Sequence, residues 1–239
     1  MRSALRTFFS IIAWTILVTV LWVLVLRWAD PPVTWRMAGE AAVERGVARE
    51  WKDLEEIARA MPLAIIAAED QKFMEHNGFD MEAIEKAWEA YNKDTKGGRK
   101  RVKGGSTISQ QTAKNVFLWP GRNFLRKGAE AYFTFLIEAL WGKERILEVY
   151  LNVAETGAGR FGVEAAARYC FDRSAARLSQ EQAALIAVVL PSPKRYDCRA
   201  PGTFVRRRQQ WTLRQMRNIG DVISAPPVVV KGRRKSNRK

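Results

Sequence analysis

The sequence has one histidine, His76, and two cysteines, Cys170 and Cys198, among 239 residues. That scarcity excludes a His-rich metal centre, a Cys-built structural zinc site and a disulfide scaffold. Neither a Gly-x-Ser-x-Gly nucleophile elbow nor a Gly-x-x-x-x-Gly-Lys-Ser/Thr phosphate loop occurs, and a Ser-His-Asp hydrolase would have to use His76. Acid is also scarce: 25 Asp and Glu stand against 40 Lys and Arg, a net charge of +15. The segment from Lys231 to Lys239 holds six of those bases and no acid, yet without it 34 bases still face 25 acids. A chain this basic calls for an anionic partner: nucleic acid, an acidic membrane face or a phosphorylated substrate. Hydrophobic residues make up 47%, which excludes wholesale disorder and suits one ordinary domain with an accessory segment.

The accessory segment is visible at once. Phe8 to Leu26, FFSIIAWTILVTVLWVLVL, is an uncharged run of nineteen residues. At about 1.5 Å per residue it reaches roughly 28 Å, close to a bilayer core. A cleaved signal would show a small-x-small site after it, and Arg27 and Trp28 stand there instead, so the run reads as an anchor. Arg2, Arg6 and the terminal amine favour a cytoplasmic N-terminus, which Arg27 and Arg36 weaken without reversing. The rest then lies outside the cytoplasm, which argues against nucleic acid as the partner. Removing residues 1–28 is expected to leave a folded domain that still binds membranes weakly.

Asp30-Pro31-Pro32 should break the anchor helix. A helix is expected over 51–60, then another, MPLAIIAAEDQKF, with Pro62 in its first turn. Asp80 should cap MEAIEKAWEAY, whose Ile84, Ala87, Trp88 and Tyr91 share one face. NKDTKGGRKRVKGG reads as an exposed basic loop. Thr107-x-x-Gln110 and Ser179-x-x-Gln182 are capping boxes that start two helices, the second ended by Pro191. Further helices are expected over 126–141, 143–152 and 204–219. No period-2 strand stands out, so the part beyond the anchor is mainly α.

Three segments carry candidate chemistry. In EDQKFMEHNG, Glu69 and Asp70 follow the apolar stretch Leu63–Ala68, where partial desolvation would raise a carboxylate toward useful base strength. On their own they read equally as solvated acids beside a turn, and His76 as a side chain bonding a loop carbonyl. In GGSTISQQTAKN, Ser106 and Thr107 stand at a helix N-terminus suited to anions. Gln111, Lys114 and Asn115 share a face there, although a well-capped surface helix has the same pattern. Along 126–141, Tyr132, Phe135, Leu136, Ala139 and Leu140 form the expected core stripe, and Phe133 and Ile137 make the helix apolar well beyond one face, so it is expected to be largely buried. Lys127, Glu130, Thr134 and Glu138 form a polar row, either a cleft wall or a solvent face.

EDQKFMEHNG, GGSTISQQTAKN, RKGAE (Arg126–Glu130) and KERILEVYLN (Lys143–Asn152) occur in this order, followed by GRFGVEAAARYCF and LSQEQAALIAVVLPSPKRY. Together they resemble glycosyltransferase family 51, the peptidoglycan polymerases, over roughly residues 55–218. The sequence looks closest to the monofunctional branch of that family. The Ser-x-x-Lys of the appended transpeptidase domain occurs only as Ser236-Asn-Arg-Lys239 in the basic tail, read as chance. Relatives usually carry an aromatic or other bulky residue where Cys170 stands, a packing position. Cys170 and Cys198 either pair outside the cytoplasm or stay as buried thiols.

The resemblance implies a lysozyme-like α fold beside a smaller hydrophobic lobe. Residues 1–28 are then the cytoplasmic terminus and anchor, 29–50 a linker, 51–222 the glycosyltransferase domain and 223–239 a basic tail. It implies a reaction in which the 4-hydroxyl of an acceptor GlcNAc on lipid II attacks C1 of the donor MurNAc. Undecaprenyl pyrophosphate leaves, and inversion gives a β-1,4 link. Glu69 would be the general base and Glu130 would act on the donor side. Lys114, Arg122 and Lys127 would hold the donor diphosphate, and Ser106, Gln111 and Asn115 would shape the donor site. The resemblance fixes no cofactor and leaves room for a divalent cation, Mg or Mn, at the pyrophosphate. Expected partners are lipid II, the undecaprenyl-pyrophosphate-linked glycan, membrane lipids and cell-wall synthesis proteins, with no nucleic acid. The expected location is the inner membrane, single-pass, with the catalytic domain periplasmic. Two other classes share these features: a lysozyme-like muramidase and a non-catalytic, membrane-anchored basic scaffold.

Overall fold

The computed structural model of the chain describes residues 2–42, 46–93, 106–121 and 123–220. Arg122, most of the basic loop (94–105) and the tail 223–239 lie outside the described residues. The fold is mainly helical and divides into two compact units. One takes Met1–Gly46 and Lys72–Val153, the other Val47–Gln71 and Ala154–Lys239.

The first unit begins with α1, Arg2–Val25, whose apolar side chains are largely exposed along its length. Thr15 and Thr19 turn their hydroxyls back to carbonyls one turn earlier, so their polarity is absorbed within the helix. The last turns of α1 are built into the unit. Val23 and Leu26 are buried, and Trp22 packs edge-on against Phe117 and Phe133. Arg145 donates to the carbonyls of Leu26 and Ala29 and pairs with Asp30 at 3.1 Å. The helix end therefore has its orphan carbonyls met by a cation. The chain then forms α2, Trp35–Ala42, within the expected linker.

Asp80 Oδ1 accepts from the Ala83 amide at 2.9 Å and starts α4, Met81–Lys93. On the face expected to carry its apolar residues, Ile84 is 37% and Trp88 64% exposed. The predicted box at Thr107 is formed, with Thr107 Oγ1 accepting from the Gln110 amide and Gln110 Oε1 from the Thr107 amide. It opens α5, Ile108–Phe117, which is mostly buried rather than a surface helix. α6, Phe124–Leu140, starts at Asn123, whose Oδ1 accepts from the Arg126 amide.

The core stripe of α6 differs from the expected one. Phe135 is 65% exposed and Ala139 is exposed, while Glu130, Phe133, Thr134, Leu136 and Ile137 are buried. The cause is the polar row, which turns inward: Glu138 accepts from Ser109 of α5 and from Lys143 Nζ. Phe133 stacks on Phe117 with centroids 4.6 Å apart. α7, Lys143–Val153, closes the unit.

In the second unit the helix expected over 51–60 is replaced by a single 3-10 turn, Leu54–Glu56. Ile57 is extended, and the Ala58 amide donates to the Ala175 carbonyl at 3.0 Å, drawing the backbone out of helical pairing. α3 runs Ala60–Glu69 and stops because Asp70 takes φ −160°, so Gln71, Lys72 and Phe73 do not continue it. A short hairpin, β1 (Glu155–Gly157) and β2 (Arg160–Phe161), had no signal in the sequence.

α8, Val163–Phe171, and a 3-10 turn at Ala175–Arg177 are tied together by buried Glu164. Its carboxylate accepts from the Ala175 amide, Ser174 Oγ and Arg168 Nε. α9, Gln180–Val189, starts at the predicted Ser179 box and packs with α3 and α10, Thr203–Ile219. Cys170 and Cys198 are joined as a disulfide beside Leu185, Val188, Val189 and Val205, which decides between the two states left open above.

Candidate active site

The first unit contains a basic cleft of about 370 Å³. Arg36 from α2, Lys114 and Asn115 from α5, Arg126 from α6 and Trp119 from the intervening loop line it. Behind it, Glu130 is only 3% exposed. A buried carboxylate needs partners, and helical spacing supplies them. Lys127 Nζ stands 2.5 Å from Oε1 and Arg126 Nη1 3.2 Å from Oε2. One turn further, Thr134 Oγ1 donates to the Glu130 carbonyl at 2.7 Å. Glu130 thus fixes two cations.

Lys114 makes no ion pair with a carboxylate among the described residues. Burial pushes its pKa below the usual lysine value; Glu130 opposes the shift, and Arg126, Arg36 and Lys127 add to it. Arg126 Nε is buried without a hydrogen-bond partner among the described residues. A lysine held among other cations with a spare buried N–H beside it is an arrangement that an anion completes.

Of the remaining expected residues in this unit, Gln111 Oε1 accepts from the Tyr150 hydroxyl at 3.4 Å. Ser106 is exposed and takes no part in the cap, which belongs to Thr107. His76 Nδ1 accepts from the Gly78 amide at 3.2 Å. Its own backbone carbonyl receives Lys143 Nζ at 2.5 Å. Lys143 also lies 4.6 Å from the Phe73 ring centroid. This network, which sequence reasoning missed, fastens the segment after Asp70 to α6 and α7.

Glu69 belongs to the second unit, where it is the half-buried last residue of α3. Asp70, its neighbour, is 7% exposed. In the same unit α10 packs on α3, and the exposed Arg208 feels the charge of Glu69.

Two cleft residues were not picked out in the sequence. Arg126 stands four residues before Glu130, so helical spacing could have found it. Arg36 had no such signal, because it joins Lys114 only through the packing of α2 on α5. The donor set does not suit a divalent cation: both oxygens of Glu130 are engaged by cations, and no three His, Cys, Asp or Glu side chains gather among the described residues.

Residues 37–217 match the transglycosylase family. A biosynthetic peptidoglycan transglycosylase of Xanthomonas axonopodis pv. citri (strain 306) is 51% identical over 209 residues, covering 84% of this chain and 83% of the relative. The protein of that name from Pseudomonas aeruginosa strain PAO1 is 48% identical over 231 residues, covering 92% and 95%. The one from Aeromonas hydrophila subsp. hydrophila is 49% identical over 211 residues, covering 87% and 88%. With a buried acid behind a cationic cleft, a match over most of its length and relatives near half identity, this chain belongs to the transglycosylase family.

Proposed function

We propose that this protein polymerises peptidoglycan glycan strands from lipid II at the outer face of the inner membrane. The observation that carries the reading is the cleft around Lys114, Arg126 and Asn115 backed by Glu130. Its fixed cations suit a leaving group on which negative charge develops. The 4-hydroxyl oxygen of the acceptor GlcNAc attacks C1 of the donor, and its proton passes to the Glu69 carboxylate. The bond from C1 to the phosphate oxygen breaks, and its electron pair leaves with undecaprenyl pyrophosphate. The α-linked donor becomes a β-1,4 link, so the step inverts. Lys114, Arg122 and Lys127 take the diphosphate charge, Glu130 holds Lys127 and Arg126 in place, and Ser106, Gln111 and Asn115 shape the donor site.

The Cys170–Cys198 disulfide supports an oxidising compartment for the domain, and α1 is long and apolar enough to span a bilayer. Both features support the reading of an N-terminus in the cytoplasm and a periplasmic domain. A muramidase would expel a neutral sugar hydroxyl and has little use for several cations, and a scaffold has no use for a buried glutamate beneath them. The test is to incubate the purified full chain in vesicles with labelled lipid II and resolve the products on a gel. Polymer that disappears in Lys114→Ala and Glu69→Gln variants is the expected result. Release of sugar from finished peptidoglycan, with no polymer from lipid II, would overturn the reading.

A further inference from the structure

We infer that Arg36, in the first turn of α2, the short helix that follows α1, is a further binding residue for the diphosphate, closing the cationic cleft from its N-terminal side. The inference rests on the proposed function and extends it to a residue outside the matched segment, which begins at Met37. α2 is held in place by its own sequence. Thr34 is buried, and its Oγ1 accepts from the Met37 amide at 3.2 Å, capping the first turn. Met37 and Glu40, one turn apart, are buried, and the helix packs on α5. Arg36 is exposed beside Met37 and lines the cleft with Lys114, Asn115, Trp119 and Arg126.

Arg36, Lys114 and Arg126 thus line one small cleft, and both carboxylate oxygens of buried Glu130 are engaged by Arg126 and Lys127. Three cations lining one cleft suit a ligand with more than one negative charge. A guanidinium can meet two phosphate oxygens at once, which an ammonium cannot. α2 is also the first helix after the membrane segment, so a diphosphate carried on a lipid of that membrane is the anion it would meet.

The experiment uses the full chain in vesicles, with lipid II as substrate and undecaprenyl pyrophosphate as the binding probe. Arg36→Ala should raise KM and the probe's Kd by about 3–10-fold, the range of a partly exposed charge-assisted contact, with kcat within about twofold of wild type. Arg36→Lys should recover part of the loss, and the exposed Arg217→Ala on α10 should change nothing. Melting temperatures confirm that each variant is folded. Unchanged KM and Kd in Arg36→Ala while Lys114→Ala is crippled would overturn this inference and leave the proposed function standing. A Lys114→Ala protein that polymerises at the wild-type rate would instead remove the proposed function itself. A fall in kcat alone in Arg36→Ala would also overturn the inference, because it would place Arg36 outside ground-state binding.

Discussion

Trp141 donates its indole Nε1–H to the backbone carbonyl of Val23 at 2.8 Å, joining the end of α6 to the last turn of α1. Both residues are buried. Deleting residues 1–28 would orphan that donor, uncover Phe117 and Phe133 and strip Arg145 of the Leu26 carbonyl. The truncated chain should therefore melt well below the full chain in detergent, contrary to the simple expectation of a separable anchor. Trp141→Phe keeps the ring and loses the donor, and should cost about 1 kcal/mol. Equal melting temperatures for full-length and truncated proteins would show that the docking contributes nothing.

Glu69→Gln keeps size and hydrogen-bonding reach and cannot accept a proton. Chain formation should fall by roughly 10²–10⁴ while melting temperature stays near wild type, because Glu69 is half-buried at a helix end. Asp70→Asn is the contrast. Asp70 is buried where the backbone leaves α3, so stability should drop at least as much as rate. Polymer assays and thermal melts on both variants separate the roles, and a Glu69→Gln enzyme with near-normal rate would dismiss the base assignment.

Lys114 should set an alkaline limit on activity. Its pKa lies below the usual lysine value because it is buried, so the ammonium is lost at a lower pH than for a solvated lysine. Turnover should decline as pH rises through that lowered value. Lys114→Arg should retain some activity and flatten the decline, since guanidinium stays charged. The stability effect has the opposite sign. Between the folded and unfolded pKa values the unfolded chain binds more protons, so this group adds stability as pH rises through that window. An Arg variant with an unchanged alkaline limb would refute the assignment.

Gly78 sits where no other residue fits. Its φ is +88°, and a Cβ there would lie 2.8 Å from Thr134 Cγ2 and 3.0 Å from Glu138 Cγ. Its carbonyl also receives Thr107 Oγ1, at the cap of α5, at 2.7 Å. Gly78→Ala should cost about 2 kcal/mol in denaturant unfolding, from strain plus overlap. Adding Thr134→Ser, which deletes the offending methyl and keeps the hydroxyl, should restore part of this. Perfect additivity of the two changes would argue against the contact.

Reduction of Cys170–Cys198 should destabilise the second unit. The bond spans 28 residues, and releasing such a loop is worth about 3–4 kcal/mol in the chain-entropy account. A clear drop in melting temperature on adding dithiothreitol is expected. Affinity for lipid II should remain at temperatures where the reduced protein is folded. Arg199, which donates to the Tyr169 carbonyl at 2.7 Å, still ties the same two segments. An unchanged melt after confirmed reduction would count against the stabilising role.

Features encoded within a few neighbouring residues were legible in the sequence. The uncharged run of α1, the Asp80 cap and the boxes at Thr107 and Ser179 depend on local spacing, and the ordered motifs gave the family without a structure. Tertiary packing decided the rest, because the deciding partners are distant in the chain. Periodicity alone put Phe135 in the core, whereas Ser109 and Lys143 drew the Glu130–Thr134–Glu138 row inward and turned Phe135 to the surface. The 51–60 segment followed the Ala175 carbonyl instead of its own helical pattern. Packing of α2 on α5 brought Arg36 into the cleft with Lys114, and the fold of α8 and its neighbours paired the two cysteines. A carboxylate or cation acquires its chemistry from the groups around it, and those groups are set by the fold.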